Sequence, residues 1–322
     1  MQDIRGKIRR GIRIFLIITI LTMMFIIFRS IRKETFEALK KMSPLWMLIS
    51  VACAGLRYYF DIFRIRWIAR GLGKDLSWNG CVYFLFGGYF LGAVTPFQSG
   101  GLPFQIFVMK REGIDYGEGL ALIFMRGILS GIILPFVLPI MFTQTRAMET
   151  TFFRVLTRYL VVIYGGIFLL MILSIFLPQV IKKIFRGKLL KGAEEFRDAF
   201  VREYRKRPGA LGLALLGTLL TLFFYFLGTP TLLRGLGVEV NFFKGMVYQM
   251  ILTYALNFAP TPGASGIAEM GGFKLFSEIC PQELLGVYVL LWRFFTGHIG
   301  VIIGGFTMLK LISEYEMEEG KK

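Results

Sequence analysis

Residues 95–100 read TPFQSG, and residues 261–266 read TPGASG. The two segments share the pattern T-P-x-x-S-G. Each interrupts an apolar run, Cys81 to Val94 before the first and Phe242 to Phe258 before the second. Each is followed by an apolar piece too short to cross a bilayer by itself, LPFQIFVM in one case and IAEMGGFKLF in the other. Non-helical backbone at membrane depth survives only where protein or a watery cavity satisfies its polar groups. Both segments therefore read as re-entrant helical hairpins.

Two further landmarks repeat in the same order. RGLG occurs at Arg70–Gly73 and at Arg234–Gly237, 164 residues apart. The T-P-x-x-S-G segments lie 166 apart, and an arginine deep in the next long apolar run (Arg126, then Arg293) recurs after 167. Any one tetrapeptide is weak evidence, but three landmarks at nearly one offset mark an internal repeat.

The surrounding chain is membrane-like. It is 55% hydrophobic and 18% charged, with a mean hydropathy of +0.61, too apolar for a soluble domain. Apolar runs of about the length a membrane helix requires occupy Ile14–Phe28, Pro44 to about Trp67, about Gly119–Phe142, about Val155–Leu177, Ala210 to about Leu227, and Leu284–Leu309. The first follows a basic start, but no small-residue cleavage site succeeds it, so it reads as a retained short helix. The expected fold is an all-α polytopic membrane protein with about six full transmembrane helices and two re-entrant hairpins.

The net charge of +17 reflects loop chemistry and not nucleic-acid binding. Residues 182–207 carry ten Lys and Arg, which fixes this loop as cytoplasmic. Working outward, the inside segments hold 24 basic residues and the outside loops 10, with both termini inside the cell. The two halves then cross in opposite senses, as in the inverted-topology repeats of many secondary transporters. The layout is one membrane domain: residues 1–43 an N-terminal helix and outer loop, 44–142 repeat 1, 143–208 a linking helix and basic loop, 209–310 repeat 2, and 311–322 a tail. Localisation is expected in the cell membrane, multi-pass.

Candidate site residues follow from this geometry. Arg126 and Arg293 sit at membrane depth, where a charge costs at least about 2.5–3.5 kcal/mol and needs compensation. Each guanidinium either grips an anionic headgroup bidentately or forms an internal ion pair, with Glu269 the natural partner of Arg293. Arg57 and Asp61 are spaced i,i+4 and are expected to pair with each other; otherwise Arg57 lines the cavity. Thr95, Ser99, Gly100, Thr261, Ser265 and Gly266 lie at turns opening short helices, where N–H groups and hydroxyls either bind an anion or simply cap the helix. Gln98 and Asn257 are neutral hydrogen-bonding groups beside those turns. Cys53, Cys81, Cys280 and the single His298 show no ligand spacing, so neither metal nor cofactor is expected.

NFAPTPGASGIAE (Asn257–Glu269), WRF (Trp292–Phe294) and TPFQSGGLPFQ (Thr95–Gln105) together resemble the lysylphosphatidylglycerol synthase transmembrane-region family, which are flippase-like integral membrane proteins. The resemblance runs from about Leu45 to Leu309. It departs at Val94, where the second segment has Pro260. In the bifunctional synthases such a region precedes a cytosolic aminoacyltransferase domain. The sequence here stops at Lys322, so the resemblance implies lipid translocation without lysyl transfer.

The leading expectation is a non-enzymatic flippase for an anionic phospholipid or polyprenyl-phosphate lipid, acting through a midplane site at the repeat interface. Membrane lipids are then its partners, and its oligomeric state is open. The alternative is a membrane-embedded polyprenyl-diphosphate phosphatase, which would need several acids near the phosphate; Glu269 alone adjoins a turn. A regulatory subunit without turnover is the third option. No GxxxxGK[ST] motif is present, so the chain carries no P-loop for ATP.

Overall fold

The computed structural model describes residues 40, 42–132, 143, 151–176 and 206–319. The expected first helix at Ile14–Phe28, the second part of the run ending at Phe142, and most of the basic loop lie outside these residues. Among the described residues every regular element is helical and no strand occurs.

In chain order the helices are α1 (Pro44–Gly71), α2 (Trp78–Val82), α3 (Gly88–Val94), α4 (Gly101–Arg111), α5 (Tyr116–Ile132), α6 (Thr151–Phe176), α7 (Pro208–Gly235), α8 (Phe242–Leu256), α9 (Ile267–Phe276), α10 (Gln282–Arg293) and α11 (Ile299–Glu319). A π-helical turn, Tyr83–Gly87, joins α2 to α3, and another, Phe294–His298, joins α10 to α11. Among the described residues three helices are long and apolar enough to cross a membrane: Pro44–Gly71, Pro208–Gly235 and the continuous Gln282–Leu311.

The repeat is visible in local structure. Helices α1 and α7 are each 28 residues long, each opens on a proline, and each ends in the glycine of RGLG. Proline suits the first turn, where its missing N–H would be unpartnered anyway. The second glycine of RGLG takes a left-handed φ, +79° at Gly73 and +77° at Gly237. Behind it the Lys74 N–H reaches the Ala69 carbonyl oxygen, and the Val238 N–H reaches that of Leu233. Such a left-handed stop satisfies the last carbonyls of a helix. Even the flanking ion pairs match, with Arg70 on Asp75 and Arg234 on Glu239, both at 3.3 Å.

The described chain forms two compact units. One contains the residues up to Tyr58, Val82–Gln105 and those from Leu222 onward; the other contains Tyr59–Cys81 and Ile106–Thr221. The units do not follow the repeat boundaries, since the first repeat contributes to both.

Exposure differs from that of a soluble protein in two ways, large apolar residues on the outer helix faces and ion pairs in the interior. On α1 the outward residues are Leu45, Leu48 and Val51; on α11 they are Ile302, Phe306 and Leu309. Buried positions include Arg57, Asp61, Arg64, Gln249, Glu269 and Arg293. Apolar surfaces outside and ion pairs inside suit a hydrocarbon solvent. Small residues allow the close packing that such helices need. A Cβ at Gly304 would strike the Phe86 carbonyl oxygen, and one at Gly300 would lie 2.9 Å from the Tyr58 hydroxyl. Cys53, Cys81 and Cys280 are all buried as packing residues.

Candidate functional site

The two T-P-x-x-S-G segments share a backbone turn up to their fourth residue and part at the serine, helical at Ser99 and extended at Ser265. Each forms a short 3-10 turn, Pro96–Gln98 and Pro262–Ala264, containing two consecutive left-handed residues. These are Phe97 (φ +52°) and Gln98 (+55°) in the first tip, Gly263 (+57°) and Ala264 (+58°) in the second. Three of the four are not glycine, at about 1–3 kcal/mol of backbone strain each. Both tips belong to the first unit, where their Cα atoms approach within 8 Å.

The tips are held differently. In the first, the Thr95 hydroxyl accepts from the Gly100 N–H at 2.8 Å and donates to the Leu91 carbonyl oxygen at 2.7 Å. In the second, the Gly266 N–H donates to Glu269 Oε2 at 2.7 Å, while Arg293 Nε donates to Glu269 Oε1 at 2.8 Å. Arg293 Nη2 also reaches the Gly263 carbonyl oxygen at 2.9 Å, closing a clamp on the tip. Thr261, which stands where Thr95 stands in the first tip, has a buried hydroxyl with no hydrogen-bond partner. The environments differ too. Pro96, Phe97, Gln98 and Ser99 are exposed, whereas Pro262, Ala264 and Ser265 are buried.

Of the two readings of these turns, capping is the one this structure displays. The N–H groups proposed for anion binding are taken by the protein itself. Ser99 donates to the Pro96 carbonyl oxygen, Ser265 to that of Pro262, Gly100 to Thr95 and Gly266 to Glu269. In this state the tips are self-capped turns. Gln98 and Asn257 are exposed beside them.

The arginines are also redistributed. Arg293 pairs with Glu269, as its position suggests. Asp61 serves Arg64 at 2.5 Å and Arg126 at 2.8 Å, and so is not the partner of Arg57 that the i,i+4 spacing suggests. Arg64 Nη1 donates to the Ser130 hydroxyl, which in turn donates to the Arg126 carbonyl oxygen. Arg64 is therefore a buried member of a carboxylate-bridged pair of arginines. A carboxylate has about four lone-pair sites and can hold two guanidinium groups, which spacing along one helix does not reveal.

Arg57 lies elsewhere, in the wall of a small cleft within the first unit. Nη1 donates to the Thr296 carbonyl oxygen at 3.1 Å, and the guanidinium carbon sits 4.4 Å over the Tyr58 ring and 4.3 Å over that of Tyr225. Thr296 belongs to the second π-helical turn, where the Ile299 N–H reaches back five residues to the Phe294 carbonyl oxygen. Such turns leave carbonyls outside the regular ladder. Arg57 and Thr296 each fall near the middle of their spans, Pro44–Gly71 and Gln282–Leu311. At 1.5 Å per residue Arg57 is about 20 Å from the start of α1.

Behind the cleft runs a polar network that the sequence reading passed over. Fully buried Gln249 accepts from the Thr229 hydroxyl at 2.8 Å and from the Trp292 indole N–H. Its amide donates to the Thr253 hydroxyl, which donates to the Tyr225 hydroxyl, both at 3.4 Å. A glutamine within VYQMIL was the available signal, because a buried amide in hydrocarbon must find partners.

A family model described as the lysylphosphatidylglycerol synthase TM region matches residues 12–304. The chain is also similar to a "UPF0104 membrane protein" of Archaeoglobus fulgidus. The two are 23% identical over 303 residues, covering 88% of this chain and 92% of the relative.

Proposed function

Since the chain belongs to the lysylphosphatidylglycerol synthase transmembrane-region family, we propose that it carries an anionic phospholipid or polyprenyl-phosphate lipid across the cell membrane by alternating access. The observation that carries this reading is the unequal state of two equivalent tips. One is exposed and capped by its own threonine; the other is buried and clamped by Glu269 and Arg293, with its threonine idle. In a carrier built from inverted repeats the two halves exchange conformations as the site changes sides. Transfer of the Gly266 N–H from Glu269 to Thr261 would give the second tip the bonding of the first. The phosphatase alternative loses ground, because both oxygens of Glu269 are engaged by Gly266 and Arg293.

Thr261→Val tests this exchange. In the clamped state its hydroxyl bonds to nothing, so the variant should melt at the wild-type temperature. In the exchanged state one hydrogen bond of about 1 kcal/mol is lost, which slows translocation about fivefold. Reconstituted wild-type protein should equilibrate a fluorescent phosphatidylglycerol between leaflets faster than protein-free vesicles do. Wild-type protein no faster than empty vesicles, or Thr261→Val at full speed, would refute the exchange.

The crossing directions have their own test. With inverted repeats the two RGLG stops end on opposite faces, Lys74 inside and Glu239 outside. Single cysteines at these positions, in a background without Cys53, Cys81 and Cys280, should label with an impermeant maleimide from opposite sides of sealed vesicles. Labelling of both from one side would remove the inversion.

A further inference from the structure

We infer that the cleft around Arg57 is the binding site for one phosphate group, borne by a lipid headgroup or free in solution. This deepens the transport reading and relies on it only for the headgroup being cargo. Among the described residues Arg64, Arg126 and Arg293 each contact a carboxylate within 2.8 Å. Arg57 is equally buried, at 7% exposure, yet meets no carboxylate among them. Its compensation is one carbonyl oxygen and three tyrosines, Tyr58, Tyr225 and, at 5.9 Å, Tyr89, which stabilise a cation without neutralising it. A charge near mid-span with no counter-ion marks a substrate pathway by default. A guanidinium also presents five N–H donors in a fork matched to phosphate, of which Thr296 holds one.

The cleft supplies the rest of the recognition. Its enclosed free space is small, about 20 Å³, so a phosphate group enters only as the lining side chains give way, and a whole lipid does not fit. Phe224, Leu232 and Phe295 make its remaining wall apolar, which suits the glycerol and first methylenes of an amphipathic ligand. Gly228 also lines it, and a Cβ there would meet nothing within 4 Å. The gap beside Gly228 is therefore open space facing the guanidinium's cleft, and no packing requirement accounts for it.

The experiment measures binding to purified full-length protein in detergent, without translocation. The probes are short-chain phosphatidylglycerol, diacylglycerol of the same chain length, and inorganic phosphate. Wild-type protein should bind phosphatidylglycerol at least about tenfold more tightly than diacylglycerol, the scale of a charge-assisted bidentate contact. Arg57→Gln should erase that preference and Arg57→Lys should keep part of it. Gly228→Leu fills the cleft without touching Arg57, so it should block binding with an unchanged melting temperature, even if Arg57→Gln fails to fold. Competition by inorganic phosphate at concentrations comparable to the lipid identifies free phosphate as the ligand; its failure to compete identifies the headgroup. Phosphatidylglycerol binding undiminished in Gly228→Leu, or in folded Arg57→Gln, overturns the assignment. Arg57-dependent binding without lipid exchange would sink the transport reading alone, and exchange at full rate in Gly228→Leu would sink the cleft alone.

Discussion

Glu269→Gln is expected to cost about 3–5 kcal/mol of stability, the usual penalty for removing one partner of a buried ion pair. Glutamine keeps the shape and can still accept one hydrogen bond, so the loss reports charge. Glu269 is 1% exposed and Arg293 8%, and without the carboxylate Arg293 remains a buried cation beside the second tip. The apparent melting temperature should fall on the order of 10 °C. The double variant Glu269→Gln/Arg293→Met should recover most of that fall, since replacing a buried pair by apolar groups is often neutral. A double variant no more stable than Glu269→Gln would mean that the clamp is not held by charge.

Asp61→Asn should be comparably damaging, and for a related reason. Asp61 is buried between two guanidinium groups, Arg64 at 2.5 Å and Arg126 at 2.8 Å. Its neutralisation leaves two cations facing each other inside the second unit, again about 3–5 kcal/mol. Arg64→Leu placed on Asp61→Asn should restore part of the loss by removing one of the repelling charges. The comparison of melting temperatures decides: no recovery in the double variant would show that Arg64 and Arg126 do not depend on a shared carboxylate. If Asp61 instead served Arg57, as the i,i+4 spacing suggested, Arg64→Leu would bring no recovery.

Local chemistry explains what was readable from the chain alone. The helical fold and the start of α1 at Pro44 follow from proline at a first turn and apolar runs of membrane length, while α1 and α7 run on past the expected Trp67 and Leu227 to the glycine of RGLG. The recurring motifs were legible for the same reason. T-P-x-x-S-G encodes a turn whose left-handed pair recurs at equivalent positions, whatever surrounds it. The pairing of Arg293 with Glu269 was also within reach, because both lie close to one tip.

Which carboxylate serves which arginine was not a local question. Arg57 and Asp61 occupy adjacent turns of one helix, and in an isolated helix they would be expected to pair. Only the arrival of Arg126, 65 residues on, gives Asp61 a partner that competes for its oxygens. Only the packing of the last span sets the Thr296 carbonyl against Arg57, 239 residues away in the chain. Likewise, two tips of one sequence pattern share a left-handed pair but have two bonding states, since exposure and clamping are properties of what packs around a turn. Short-range stereochemistry determined the pieces of this protein. The long-range competition for a few buried charges, costly to leave unpaired in a membrane, decided which arginine of the site, among the described residues, would meet no carboxylate.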